Sequence, residues 1–139
     1  MPDEAKVSGA VPAMFTLPLR VEEADIDENN HVNNIVYLRW VQEVATAHWY
    51  AAATEQQQAD YTWVVLRHEI DYKRPALLGE ELEARTHVGE ASGAKFERFV
   101  EIWRLHDNQL LARARSVWAA LDPHTSRPRR VDAALRERF

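Results

Sequence analysis

The sequence predicts an α+β fold, a curved antiparallel sheet of five strands packed against one long helix. Three observations lead there. Only one segment, Asn34 to Ala53, carries the period of a long helix. Five segments carry the two-residue alternation, or the β-branched and aromatic richness, of strands. The last four strands are separated by short turn signals alone, which implies antiparallel pairing and segregates the helix to one side of the sheet.

The first strand spans Phe15 to Val21, with Phe15, Leu17, Leu19 and Val21 on alternate positions. Pro18 within it predicts an edge position or a bulge. Asp25 to Asn34 is a polar run and reads as a loop whose last asparagines suit a helix cap. In the helix, Ile35, Leu38, Val41, Ala45 and His48 fall near one face, the expected core side. Thr54 to Asp60 is polar and reads as a connection. Four strands follow over Thr62 to Arg74, Glu81 to Val88, Lys95 to Leu105 and Leu110 to Leu121. Their breaks fall at Gly79, at Gly89 to Gly93, and at Asp107-Asn108, all turn-forming residues.

The chain has 139 residues, which is one domain's worth of core. Hydrophobic residues make up 46% and charged residues 28%, a globular balance. The 22 acidic against 17 basic side chains argue against a nucleic-acid partner. With no cysteine, disulfides, thiolate metal sites and cysteine nucleophiles are excluded. No apolar run reaches the length of a membrane span and no secretory signal opens the chain, so a soluble cytoplasmic protein without a membrane partner is expected. Residues 1–13 read as an N-terminal arm, 14–122 as the folded domain, and 123–139 as an exposed linker ending in a short amphipathic helix. Large apolar groups stand at both parities of the late strands, Phe96 against Phe99 and Val117 against Trp118. One helix covers one sheet face, so the spare apolar positions call for self-association, or for a sheet that curls enough to shield them.

The densest polar constellation is Asp25-Ile26-Asp27-Glu28-Asn29-Asn30-His31-Val32-Asn33-Asn34. It joins carboxylates, an imidazole and amides to the free N–H groups of a helix start. Such a terminus can hold the oxyanion formed when a carbonyl is attacked, with an Asp or His as nucleophile or base. The same residue types also serve simply as caps and turn formers. Composition and spacing leave both readings open. None of the histidines stands in a metal-ligand spacing, so no metal is expected.

The string Asp25, Asp27, Asn30, His31, Val32, Asn33, Asn34, Tyr37, Trp40 and Glu43 resembles the signature of the hot-dog-fold thioesterases of the 4-hydroxybenzoyl-CoA thioesterase type. A second segment, Ile70-Asp71-Tyr72-Lys73-Arg74-Pro75-Ala76-Leu77-Leu78-Gly79-Glu80-Glu81-Leu82, resembles the same family's later motif. Together they cover about Leu17 to Leu121. Asp27 to His31 is also similar to the Asp-x-Asn-x-His element of plant acyl-carrier-protein thioesterases. The resemblance implies a hot-dog fold, and a catalytic set of Asp27, Asn29, His31 and Asn34, with Asn34 giving the backbone N–H that polarises the thioester carbonyl. It places Asn33, Tyr37, Arg74 and Pro75 among the substrate contacts. Tyr37, Trp40 and Trp49 also suit plain packing, and Asp25 a solvated or capping acid. Asn30 stands where many relatives have Gly; Asn tolerates the left-handed backbone this turn needs.

The implied reaction is hydrolysis of an acyl-CoA or acyl-carrier-protein thioester without a cofactor, in a homodimer or homotetramer. Asp27 either attacks the carbonyl or activates water. His31 is a base or a positioning group. Arg74 is a candidate for the phosphates of coenzyme A, as are Arg127, Arg129 and Arg130, although the last three also read as a solvated basic tail. Two rivals share the fold: an acyl or hydrophobic-ligand binder, and a hydratase. The four-residue step from Asp27 to His31, with no proline beside it, counts against hydration.

Overall fold

Alternating apolar and polar side chains set the strands of the computed structural model, which describes residues 14–139. The expected N-terminal arm lies outside the described residues. The order is β1 (Phe15–Arg20), α1 (Asn34–Ala52), α2 (Glu55–Asp60), β2 (Thr62–Tyr72), β3 (Glu81–Ser92), β4 (Lys95–Arg104), β5 (Gln109–Leu121) and α3 (Ala133–Arg136). The strands form one antiparallel sheet in the order β1-β3-β4-β5-β2. Pro18 therefore sits in an edge strand, where its missing N–H breaks no inner ladder. The α+β hot-dog architecture expected from the sequence is the one observed. No helix among the described residues is long and apolar enough to cross a membrane.

Register decides which apolar group faces which side. Phe96 lies opposite Trp118, Val100 opposite Ala114 and Ile102 opposite Ala112, all on the face under α1. Phe99 and Val117 point the other way. That outer face is a mixture rather than an apolar sheet. Phe99 stacks on His87, Arg85 lies over Trp103, and Arg115 pairs with Glu97 at 2.6 Å.

Three expectations need correcting. The buried stripe of α1 runs through Val36, Tyr37, Trp40, Val41, Val44, Ala45 and His48. Ile35 is 71% exposed, because the stripe is centred one residue later than its position suggests. Thr54 to Asp60 is a helix, not a bare connection. Thr54 and Gln57 close a capping box on it, and that spacing was legible in the sequence. Strand β3 also runs through Gly89 to Ser92, with an irregular register between Val88 and Ala91. A side chain at Gly89 would strike Glu97 and Phe99, so the glycine serves a close approach and not a turn. The turn is at Gly93, in the left-handed region at φ 62°. The segment 123–139 has the exposed start and the short helix, α3, expected of it. Its first part is exposed but tied down by Arg129 N–H to Ala120 C=O and Val131 N–H to Gly93 C=O. Val131 and Leu135 are then buried.

The core falls into two clusters. The larger lies under the first half of α1, around Tyr37, Trp40, Leu82, Val100 and Leu111. The smaller lies at the far end and gathers Tyr61, Val88, Phe96, Val131 and Leu135. Between them a polar belt crosses the inner face: Thr86 of β3, Arg98 of β4, Ser116 of β5 and His68 of β2. Arg98 Nη1 donates to His48 Nδ1 at 2.9 Å and to Thr86 Oγ1 at 3.0 Å. Ser116 Oγ lies 2.6 Å from His68 Nδ1. A guanidinium only donates, so His48 accepts at Nδ1 and is neutral. Burial, aided by the Arg98 charge, pushes its pKa down to about 4.

Two outcomes follow from this packing. Leu135 is fully buried, so Leu135→Ala lowers the unfolding free energy by about 2–4 kcal/mol in urea titrations. His48 binds its proton more readily unfolded than folded. Its contribution is therefore whole above about pH 6.5 and is lost as pH falls toward 4, by up to about 3 kcal/mol. His48→Gln keeps a neutral acceptor, and the stability difference between it and the parent should shift across that pH window.

Candidate active site

The loop before α1 is built by its own polar groups. Asp25 is buried, which corrects the expectation of a solvated acid. Its Oδ2 accepts from the Glu22 N–H at 2.9 Å and its Oδ1 from Arg39 Nη2 at 2.9 Å. The capping alternative was right. The next acid behaves differently. Asp27 is half-buried, and its Oδ1 accepts from the Asn29 N–H at 2.9 Å. The Asp27 N–H reaches the His31 carbonyl, and Asn30 N–H the Asp27 carbonyl. This turn needs φ 63° at Asn30, which asparagine accepts. Asn33 caps α1 through Oδ1 to the Ile35 N–H at 3.1 Å. The Asn34 N–H, first of the helix, has no acceptor among the described residues.

The second motif docks on this loop. After β2 ends at Tyr72, the N–H groups of Lys73 and Arg74 both turn to the Leu111 carbonyl. Ala76 then makes a double contact. Its N–H donates to Tyr37 Oη at 2.9 Å, and its carbonyl accepts from the Val32 N–H at 3.0 Å. Burial raises the Tyr37 pKa, so the hydroxyl stays protonated. Tyr72 packs edge-on against Tyr37 and donates its hydroxyl to the Asn34 carbonyl at 3.2 Å.

A cavity of about 340 Å³ opens between the two motifs. Asp27, Asn29, His31, Asn33, Asn34, Tyr37, Arg74 and Pro75 all line it. The sequence therefore named eight residues that the fold brings to one place, from segments some forty positions apart. Asn29, His31 and Arg74 are exposed at its mouth, whereas Tyr37 forms buried wall with its hydroxyl occupied. Tyr72 and Lys73 were overlooked, and both line the cavity. Lys73 could have been found, since it adjoins Arg74 in the same motif. The Tyr72 bond to a helix carbonyl depends on the docking of distant segments. Among the described residues, neither Lys73 nor Arg74 has an acidic partner within ion-pair distance.

Other candidates lie elsewhere. Asp71 is exposed, as its alternation predicts. Arg129 donates to the Asp60 carbonyl and covers the Tyr61 ring, so it ties the C-terminal segment to the junction of α2 and β2. Arg127 and Arg130 are exposed and do not line the cavity. Trp40 is buried, and Trp49 packs on Trp63 and Phe139, both as packing groups. No group of three His, Asp or Glu suited to a metal occurs among the described residues.

Comparison with known proteins agrees with this architecture. Among solved structures, a 1,4-dihydroxy-2-naphthoyl-CoA thioesterase from Synechocystis superposes with a TM-score of 0.78 at 22% identity, covering 91% of this chain and 95% of the other. A 4-hydroxybenzoyl-CoA thioesterase variant complexed with 4-hydroxybenzoyl-CoA gives 0.80 at 18%, covering 90% and 97%. At these identities the likeness establishes the fold. A chloroplastic acyl-[acyl-carrier-protein] hydrolase of Cuphea viscosissima is 30% identical over 83 residues, which are 60% of this chain. The chain spans only 20% of that relative's length. The model of the thioesterase-like superfamily matches residues 21–139, nearly the whole described chain and both motifs with it. By that match, the chain belongs to the thioesterase-like superfamily.

Proposed function

We propose that this protein hydrolyses acyl thioesters of coenzyme A or acyl-carrier protein to a carboxylic acid and a thiol. One observation carries the reading. Asp27, with one carboxylate oxygen held by Asn29, lines the same cavity as Asn34, whose helix-start N–H is unpartnered among the described residues. A thioester carbonyl accepting from that N–H gains charge stabilisation as its oxygen becomes an oxyanion, with the α1 dipole adding to it. Asp27 attacks the carbonyl carbon to give a mixed anhydride, or takes a proton from the attacking water. In both routes the C–S bond breaks and the thiolate leaves and is protonated. On the first, water opens the anhydride at the Asp27 carbonyl, so Asp27 gives an oxygen to the product acid and keeps one from water. On the second, the oxygen of water enters the product acid directly. His31 at the mouth suits proton delivery or the positioning of Asp27. Asn29 orients the acid through its N–H, and Asn33 holds the helix start open.

The carrier end is read from charge. Lys73 and Arg74 stand side by side at the mouth, next to Pro75, and suit the phosphates of a coenzyme A or phosphopantetheine arm. The named relatives act on, or bind, such carriers. A second copy of the chain is proposed to complete the assembly as a homodimer or homotetramer. Ile35, Val64, Leu66 and Tyr72 are all exposed, the last three on edge strand β2.

The direct test follows thiol release from a panel of alkyl and aromatic acyl-CoAs. Asp27→Asn should lower kcat at least about a hundredfold with KM little changed. Unchanged kcat removes Asp27 from its role, and saturable binding without release by the parent favours the ligand-binding alternative. A single turnover in ¹⁸O-water separates the routes, since only attack by Asp27 leaves label in the protein. Lys73→Ala with Arg74→Ala should raise KM for acyl-CoA about tenfold or more at low salt, with little effect on a truncated N-acetylcysteamine thioester.

A further inference from the structure

A second cavity, of about 400 Å³, lies under the far half of α1. Trp49 lines it and Asn34 starts the helix, so the two cavities stand about 20 Å apart at 1.5 Å per residue. Its walls are aromatic: Trp49, Tyr61, Trp63, Phe96, Trp118 and Phe139. Its buried side-chain groups left without a partner among the described residues are donors, while Thr46, Tyr50, Gln58 and Thr62 put acceptor oxygens nearer its rim. Arg98 lines it and is only 8% exposed. One nitrogen, Nη1, is taken by His48 and Thr86, while Nε and Nη2 have no partner among the described residues. The indole N–H groups of Trp63 and Trp118 are buried without an acceptor among the described residues. The one acid on the wall, Glu97, is already bound to Arg115 at 2.6 Å, which holds its carboxyl below the usual carboxylate range.

A buried cation with no counter-ion among the described residues and two orphaned donors are each unfavourable alone. Around one aromatic cavity they share a single remedy, an anionic acceptor with a flat apolar body. A guanidinium fork matches a carboxylate in particular, and aromatic walls favour an aromatic body by stacking and edge contacts.

We propose that this second cavity binds an aromatic monocarboxylate, with Arg98 pairing its carboxylate and the indole N–H groups of Trp63 and Trp118 as further donors. The site is independent of the hydrolytic reading. It uses none of the residues around Asp27.

The test uses the full chain and 2-naphthoate as probe, by calorimetry and by quenching of tryptophan emission. One equivalent per chain should bind saturably, and the neutral methyl ester at least tenfold more weakly. Arg98→Gln should weaken naphthoate binding about tenfold or more and leave the ester unchanged. Trp118→Phe keeps a ring and removes one donor, and should weaken binding severalfold. It also tests the site if Arg98→Gln fails to fold. Asp27→Asn should bind as the parent does. Absence of saturable binding, ester binding as tight as the acid, or a loss in Asp27→Asn with none in Arg98→Gln or Trp118→Phe overturns the proposal.

Discussion

The buried hydrogen bond from the Ala76 N–H to Tyr37 Oη, at 2.9 Å, joins the two halves of the candidate site. One half is the loop that ends in α1. The other is the segment that leaves β2. Neither has a sheet ladder to fix it, because both lie between regular elements. Tyr37 is rigid, sits in the buried stripe of α1, and reaches across with a hydroxyl that cannot remain unpaired in the core. The Val32 N–H to the Ala76 carbonyl closes the same join from the loop side. Cavity shape, the openness of the helix start and the placing of Arg74 all depend on this knot. A residue that the sequence offers equally as packing or as substrate contact is here wall and clasp at once.

Around this knot the core is divided rather than uniform. The belt of Thr86, Arg98, Ser116 and His68, with His48 above it, interrupts an otherwise apolar inner face. Arg98 occupies a position where alternation predicts an apolar side chain, between Phe96 and Val100. Burying a guanidinium that has no acid beside it among the described residues is costly, and its pKa is pulled down to about 10 by desolvation. A protein optimised for stability alone has little reason to keep it there. The belt leaves the cluster around Tyr37 to support one cavity and the aromatic cluster around Phe96 to line another. Each end of α1 thus presents its own chemistry, amide-rich at the start and aromatic beside the end.

Much of this was readable before any coordinates. The long helix and the five strands follow from periodicity, and proline's missing donor narrows Pro18 to an edge position or a bulge. The tolerance of Asn30 for φ 63° follows from its residue type. The gathering of eight candidate residues at one cavity was readable only through motif resemblance, since spacing left both capping and catalysis open. Some misses were local. The capping box at Thr54 and Gln57 is a four-residue pattern, and Lys73 adjoins a residue already singled out. Others were not local. Gly89 looks like a turn glycine until the side chains of β4 are set against it, and Ile35 looks like core until the tilt of α1 is known.

By itself, the sequence determined the long helix, the five strand segments, their antiparallel sense and the polar string at the helix start. These depend on neighbours within a few positions, through backbone period, capping and turn chemistry. Tertiary structure decided which apolar faces were covered, that β2 pairs with β5 and not with the strand that follows it, that Asp25 is buried while Asp27 lines a cavity, and that Arg98 lines another with Trp63 and Trp118. Those outcomes depend on strand register and on how α1 lies across the sheet. A one-residue shift in register would carry Arg98 to the outer face and leave the cavity without its charge.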